Sequence, residues 1–153
     1  MQSKMRAALA VLTITICLAS GSALAQPEFG LRAGATIDPD QFHFGAHGIT
    51  NPLIPHLTFR PNLEIGVGSD VTTVAANFEF AYAIPIPKTQ TSVYLGAGPA
   101  LNVFRGGRND DTDSGGGFNI LIGLEHKDGL FGEIKVGTID SPELKFTIGY
   151  TFR

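Results

Sequence analysis

The sequence predicts an all-β protein, an eight-stranded, antiparallel, up-and-down transmembrane β-barrel. After Gln26, apolar residues recur at every second position, and no stretch carries them at helical spacing. Several alternating segments are long enough for the ~9 to 11 residues of a transmembrane strand, whereas strands of soluble sheets average ~5 to 6. The polar positions mix glycine and alanine with charges of both signs, which suits a narrow lumen in which ions must pair.

The N-terminal segment has the features of a cleaved secretion signal. Lys4 and Arg6 supply a charged start, residues 7–19 form an apolar run, and the small residues of "SGSALA" end in an A-x-A cleavage pattern. An uncleaved membrane anchor is the alternative, but the apolar run is shorter than the ~20 residues that a spanning helix needs. The chain therefore divides into a leader, 1–25, and a barrel domain, 26–153, for which the resemblance described below implies an outer-membrane location.

Charge and cysteine content exclude several classes of protein. Without the leader, the 11 basic residues fall to 9 against 14 acidic ones, a net charge of −5, which argues against nucleic acid as a partner. The charged fraction of 16% is low beside the ~25% of soluble domains, so much of the surface faces something other than water. Cys17, the one cysteine of the chain, follows Ile16, which does not fit a lipoprotein signal. Its loss with the leader leaves no disulfide or thiolate metal site.

Each of the first four predicted strands places its apolar residues on one face. These strands cover residues 28–37, 41–48, 57–69 and 74–84. In the first, apolar residues alternate from Phe29 to Ile37, and in the second Phe42 and Phe44 carry the pattern. The third is the clearest, because apolar residues occupy every odd position from 57 to 67. The fourth alternates in the same way and leads into the proline-containing turn "PIPKTQT".

The last four predicted strands continue the alternation to the end of the chain. They cover residues 92–104, 117–125, 130–138 and 143–153. The last, "ELKFTIGYTFR", has apolar residues at every even position, as expected of a strand that closes a barrel. Between the fifth and sixth strands, "RGGRNDDTDSGG" is predicted to be the longest loop. Pro61 and Pro99 fall inside strands, where each removes a ladder hydrogen bond, so either bulges or different strand boundaries are expected there.

The strand charges share the polar face, and they are the first candidate site. An eight-stranded barrel is just wide enough inside for side chains to fill, so this face predicts ion pairs that plug the lumen rather than a narrow ion or proton path. The predicted lumen charge network consists of Arg32, Arg60, Glu64, Glu79, Glu125, Glu133, Lys135 and Lys145.

Two other groups of residues raise the question of a metal site. His43 and His47 share a strand face but lie ~13 Å apart along it, too far for one metal. Asp110, Asp111 and Asp113 cluster in the predicted loop, but an EF-hand frame starting at Asp111 puts Ile122 where a bidentate glutamate belongs. The sequence therefore predicts no metal site and no cofactor, and leaves open weak cation binding by the loop.

Nothing in the sequence points to catalysis. Ser69, Ser92, Ser114 and Ser141 lie outside any nucleophile motif, and His126 is predicted to lie in a turn. We therefore expect a protein that is not an enzyme.

Several segments resemble a known family. "RPNLEIGVG", "VYLGAGPALNV" and the closing "FTIGYTF" are similar to the small eight-stranded outer-membrane barrels, the OmpA/OmpX-like proteins. This resemblance implies a bacterial outer-membrane location, contact with lipid, and help from periplasmic chaperones and barrel-assembly machinery. The chain departs from the family in lacking Trp, so its aromatic girdle depends on Phe, Tyr82 and Tyr150, and in placing Arg153 after the terminal aromatic.

Three functions follow as expectations. The first is a structural or interaction role, such as a surface scaffold or adhesion-like protein, with external ligands meeting the 105–116 loop. The second is a narrow pore for ions or small solutes. The third is a soluble, secreted, lipocalin-like barrel that binds an apolar ligand, in which the two strand faces would be inverted.

Overall fold

The computed structural model describes residues 26–106 and 111–153 and shows a closed barrel. Eight antiparallel strands follow one another around it in chain order. They are β1 (Glu28–Ile37), β2 (Gln41–Ile49), β3 (Leu57–Gly68), β4 (Val71–Pro85), β5 (Thr91–Gly106), β6 (Asp111–His126), β7 (Leu130–Ile139) and β8 (Leu144–Phe152). Within the described ranges, no helix is both long enough and apolar enough to cross a membrane.

The barrel closes between its first and last strands. β1 pairs with β8 in one register, from Phe29 opposite Phe152 to Ile37 opposite Leu144. Both chain ends of the barrel lie at one end, here called the terminal end. The opposite end, which carries the connections after β1, β3, β5 and β7, is called the loop end. The predicted fold class is confirmed.

The barrel exposes apolar side chains and buries polar ones, which is the reverse of the arrangement in a soluble protein. Thirty large apolar or aromatic side chains of the described residues are exposed, whereas the buried side chains include eighteen polar or charged ones. The cause is the period-two pattern, because alternate residues of a strand point to opposite faces. The apolar face points outward, so the lipocalin-like alternative lacks the apolar interior that it requires.

β5 and β6 are longer than predicted, and β6 extends beyond its neighbour β7 at the loop end. Their ladder runs from Thr91 opposite His126 to Gly106 opposite Asp111, whereas the ladder of β6 with β7 reaches only to Gly117 opposite Ile139. The predicted loop 105–116 was therefore wrong in extent, because most of it is paired strand. His126 likewise ends β6 rather than lying in a turn.

Pro61 and Pro99 lie inside β3 and β5 without a shift of register. Pro61 pairs with Phe78 of β4, and the ladder of β3 with β2 ends at its neighbour Asn62. Pro99 pairs with Phe118 of β6, and the β4–β5 ladder keeps the same register on either side of it. Each proline therefore meets a ladder that has ended or is interrupted, so the absent N–H needs no bulge and no shorter strand.

Candidate functional site

Six of the predicted lumen charges converge inside the barrel and form the central cluster. All six are buried and come from inward positions of β1, β3, β4, β7 and β8. The members are Arg32, Glu64, Glu79, Glu133, Lys135 and Lys145. Three acids face three bases, so the cluster has no formal net charge.

Glu64 is the carboxylate that contacts all three bases. Its Oε2 lies 2.6 Å from Lys145 Nζ, and its Oε1 lies 3.1 Å from Arg32 Nε and 3.9 Å from Lys135 Nζ. The residue is only 1% exposed. A carboxylate this deep depends on its partners, because an unpaired buried charge is strongly unfavourable.

Lys135 and Arg32 connect Glu64 to the other two acids. Lys135 Nζ lies 2.7 Å from Glu79 Oε1 and 3.6 Å from Glu133 Oε1. Arg32 Nη2 donates to Glu133 Oε1 at 2.5 Å. The cluster is thus one continuous network in which acids and bases alternate, and the loss of any member leaves a partner unmatched.

Three inward asparagines complete the surroundings of Glu79. Asn62 Nδ2 and Asn119 Nδ2 donate to its two oxygens at 2.8 and 3.0 Å. Asn119 also donates to Asn77, which in turn donates to Asn62. The sequence analysis did not include these asparagines in the site, although their inward strand positions were the signal for it.

A second group, the terminal cluster, lies at the terminal end and consists of Glu28, Arg60, Glu125 and Arg153. Arg60 Nη1 donates to Glu125 Oε2 at 2.9 Å. Arg153 lies 3.2 Å from Glu125 Oε1 and donates to Glu28 Oε2 at 3.0 Å. Because Glu28 is on β1 and Arg153 follows β8, the terminal cluster ties the seam of the barrel together.

Tyr94 connects the two clusters. Its hydroxyl donates to Glu133 Oε2 at 2.9 Å, and the Arg60 guanidinium stands 4.4 Å from its ring centroid. The ring can enter the lumen because Gly123 lies directly opposite on β6, where a Cβ would collide with it. Such pairing of a large and a small inward residue is how narrow barrels are filled.

The lumen near Tyr94 also holds apolar side chains that the sequence analysis missed. Ile49, Leu121 and Phe131 are buried there, at inward positions of strands whose inward residues are otherwise mostly polar. They line, with Tyr94, a cavity of only about 10 Å³. That volume is at the lower limit for one water molecule, so the chain itself fills this part of the barrel.

Both strand histidines are hydrogen-bonded inside the barrel. His43 lies 2.9 Å from Thr36 Oγ1 through Nδ1 and 3.0 Å from Thr147 Oγ1 through Nε2, and His47 Nε2 lies 3.0 Å from Thr151 Oγ1. Their hydrogen bonds therefore link β2 to β1 and β8 across the inside of the barrel. In the two described segments, no group of three or more His, Cys, Asp or Glu could hold a metal ion.

The acidic residues of the predicted cation-binding loop do not form a loop site. Asp111 and Asp113 are exposed at the start of β6, and Asp113 Oδ1 accepts a hydrogen bond from the backbone N–H of Ser114. Asp110 and the leader, 1–25, lie outside the described residues.

Comparisons with known proteins agree with this architecture. No family model and no curated protein matches the chain. Among solved structures, the N-terminal β-barrel domain of Pseudomonas aeruginosa OprF superposes with a TM-score of 0.62 at 13% identity, covering 82% of this chain and 96% of that one. Neisserial surface protein A gives a TM-score of 0.64 at 12% identity, covering 82% and 94%. At these identities the likeness establishes the fold. The chain therefore has the eight-stranded β-barrel architecture of the OmpA/OmpX-like outer-membrane proteins, as its sequence resemblance indicated.

Proposed function

We propose that this chain is a barrel of a bacterial outer membrane with a structural or interaction role, as a surface scaffold or adhesion-like protein. The observation that carries the proposal is the apolar belt of outward side chains. On β5 the belt runs from Val93 to Val103, ten residue steps. At ~3.3 Å per residue and a tilt of ~40°, it is about 25 Å tall, the height of the apolar band of outer-membrane barrels.

Outward aromatic side chains at the terminal end support the same placement. Tyr82 and Tyr150 are each 45% exposed, and Tyr150 contacts Phe152 with ring centroids 5.6 Å apart. Phe59 and Phe80 form a second outward pair at 5.0 Å. Aromatic residues of this kind favour the boundary between lipid and water, so they fit one girdle of a membrane barrel.

The filled lumen favours a scaffold over a pore. An open path would need space or mobile charges, whereas the central cluster is a network of matched ions and the cavity beside it holds about one water at most. The proposal therefore treats the central cluster and the terminal cluster as a plug that stabilises the barrel, and it includes no catalytic step. Lipid, periplasmic chaperones and assembly machinery are the proposed partners, reached after export directed by the leader.

Expression of the full chain in a Gram-negative host, followed by fractionation, tests the placement. We expect the protein in the outer-membrane fraction as a compact band that slows on a denaturing gel after boiling. A soluble periplasmic protein with no band shift would contradict the proposal.

Planar-bilayer recording tests the plug separately. We expect no single-channel conductance from the folded barrel. Steady conductance that changes on Glu64→Gln or Arg60→Gln, and not on Lys88→Gln in the exposed β4–β5 turn, would instead support the pore.

A further inference from the structure

The turn between β2 and β3 exposes two large apolar side chains at the terminal end. This turn spans residues 50–56 and reads "TNPLIPH". Leu53 is 56% exposed and Ile54 is 58% exposed, as much as Ile120 in the middle of the outward belt, which is 56% exposed. Water-facing turns are dominated by Gly, Pro, Asn, Asp and Ser, so this apolar pair needs a physical explanation.

Hydrogen bonds hold the backbone of this turn in a defined conformation. The N–H of Leu53 donates to Leu57 O at 2.8 Å, and the N–H of Leu57 donates to Ile54 O at 3.0 Å. At the base of the turn, the N–H of Thr50 donates to Phe59 O at 3.0 Å, and the N–H of Phe59 donates to Thr50 Oγ1 at 3.1 Å. The exposure of the apolar pair is therefore a property of an ordered turn.

The turn is continuous with the outward belt and with an aromatic residue of its girdle. His56 has a left-handed backbone, with a φ of 70°. The alternation of β3 would direct its side chain into the lumen, but its ring centroid lies 5.8 Å from that of outward Tyr82. The N–H of Ala83 donates to His56 O at 2.9 Å, which holds the turn beside β4. The turn therefore begins at the level where Tyr82 favours the boundary between lipid and water.

The other two turns of the terminal end, both among the described residues, have polar tips. Lys88, Thr89 and Gln90 are exposed in the β4–β5 turn, and Lys127 and Asp128 are exposed in the β6–β7 turn. Charged side chains lose favourable hydration when they enter lipid, whereas Leu and Ile gain when they leave water. The terminal end therefore has one turn that suits lipid and two turns that suit water.

We propose that the β2–β3 turn is a lipid anchor, in which Leu53 and Ile54 enter the headgroup and upper acyl region of the leaflet at the terminal end. Phospholipid is the partner that fits this surface, because the surface continues the lipid-facing belt through Leu57 at the start of β3. The anchor fixes the depth of the barrel on this side, while the β4–β5 and β6–β7 turns stay in water. This inference rests on the proposed membrane placement and names the turn that extends the contact with lipid.

Tryptophan provides the probe, because the chain contains none. Three single-tryptophan variants are folded into phosphatidylcholine vesicles. They are Leu53→Trp in the anchor, Asp128→Trp in the β6–β7 turn as the matched control, and Ile120→Trp in the middle of the belt. Lipid that carries bromine near the top of its acyl chains quenches tryptophan close to that depth. We expect it to quench Leu53→Trp at least about threefold more than Asp128→Trp, and we expect Leu53→Trp to emit at the shorter wavelength.

A second set of variants tests whether the apolar pair itself draws the turn into lipid. In Ile54→Trp, the neighbouring Leu53 is still present, so strong quenching is again expected. Adding Leu53→Asp to Ile54→Trp should lower the quenching at least about twofold, because a carboxylate strongly disfavours entry into lipid. Adding Lys88→Asp to Ile54→Trp, which places a carboxylate on the β4–β5 turn instead, should leave the quenching unchanged.

Three outcomes would overturn the anchor. Equal quenching of Leu53→Trp and Asp128→Trp, while Ile120→Trp is strongly quenched, would refute the anchor and leave the membrane placement intact. Quenching of none of the three variants would overturn both the anchor and the membrane placement. Emission from Leu53→Trp that shifts with the ratio of protein to lipid, without quenching by brominated lipid, would replace the anchor with a contact to a second copy of the chain.

Discussion

Replacing Lys135 with methionine removes one base of the central cluster and keeps an unbranched side chain. Lys135 is 1% exposed, and its Nζ lies 2.7 Å from Glu79 and 3.6 Å from Glu133. Without it, three acids face Arg32 and Lys145 alone. Removing one partner of a buried ion pair costs about 3–5 kcal/mol, so we expect a loss of that size in the free energy of unfolding.

A second change should recover part of that loss. In the double variant Lys135→Met with Glu79→Gln, two acids again face two bases, and the new glutamine side chain would keep an oxygen that accepts a hydrogen bond from Asn62 or Asn119. We therefore expect the double variant to be more stable than the sum of the two single changes predicts, by ~0.5–3 kcal/mol. The control is Lys127→Met in the exposed β6–β7 turn, which should change stability by less than ~0.5 kcal/mol.

Urea titration of the barrel in micelles measures these differences. Far-UV circular dichroism and the fraction of compact band on an unboiled gel suit this chain, because it contains no Trp for fluorescence. If Lys135→Met unfolded at the same urea concentration as Lys127→Met, this result would mean that water reaches the central cluster and screens its charges. Additive losses in the double variant would mean that Lys135 and Glu79 are not coupled.

Three further changes test other parts of the barrel. Phe78→Lys, at the middle of the outward belt on β4, should destabilise the barrel by about 2–4 kcal/mol in lipid vesicles. Thr72→Lys, outward on the same strand at the loop end, should cost only ~0–1 kcal/mol, and equal urea midpoints would contradict a membrane belt. Tyr94→Phe should cost about 1–3 kcal/mol by leaving Glu133 one donor short, and unchanged thermal unfolding would argue against that hydrogen bond. Arg153→Ala, which breaks partly exposed pairs, should cost only ~0–1 kcal/mol, and a larger loss in the same titration would show that the seam depends on it.

Strand positions and strand faces could be predicted because the apolar alternation is local. β1 has the predicted bounds, and Glu64 and Lys145 occupy the predicted inward face. The first part of β6 was missed because "DTDSGG" has no apolar alternation and the composition of a loop. It is a strand because β5 pairs with it residue by residue, which is tertiary information.

The pairing of charges could not be predicted in the same way. Which inward residues meet across the lumen depends on the stagger of all eight strands, and a single sequence does not reveal that stagger. Arg32 meets Glu133, 101 residues away, although alternation alone identified both as inward. Tyr94 occupies an inward position of β5, but its place between Arg60 and Glu133 depends on the space that Gly123 leaves on the neighbouring strand.

The distribution of the central cluster along the chain has a consequence for biosynthesis. Glu64 and Glu79 are synthesised before Lys135 and Lys145. Of the three bases of the central cluster, only Arg32 is synthesised before these two acids. A nascent chain that stopped after β6 would hold more carboxylates of the central cluster than bases to pair with them. Transfer of these unpaired charges into lipid would be strongly unfavourable. For a barrel placed in a membrane as proposed, the charges of the central cluster are all matched only once β8 has been translated, so we expect insertion to follow synthesis.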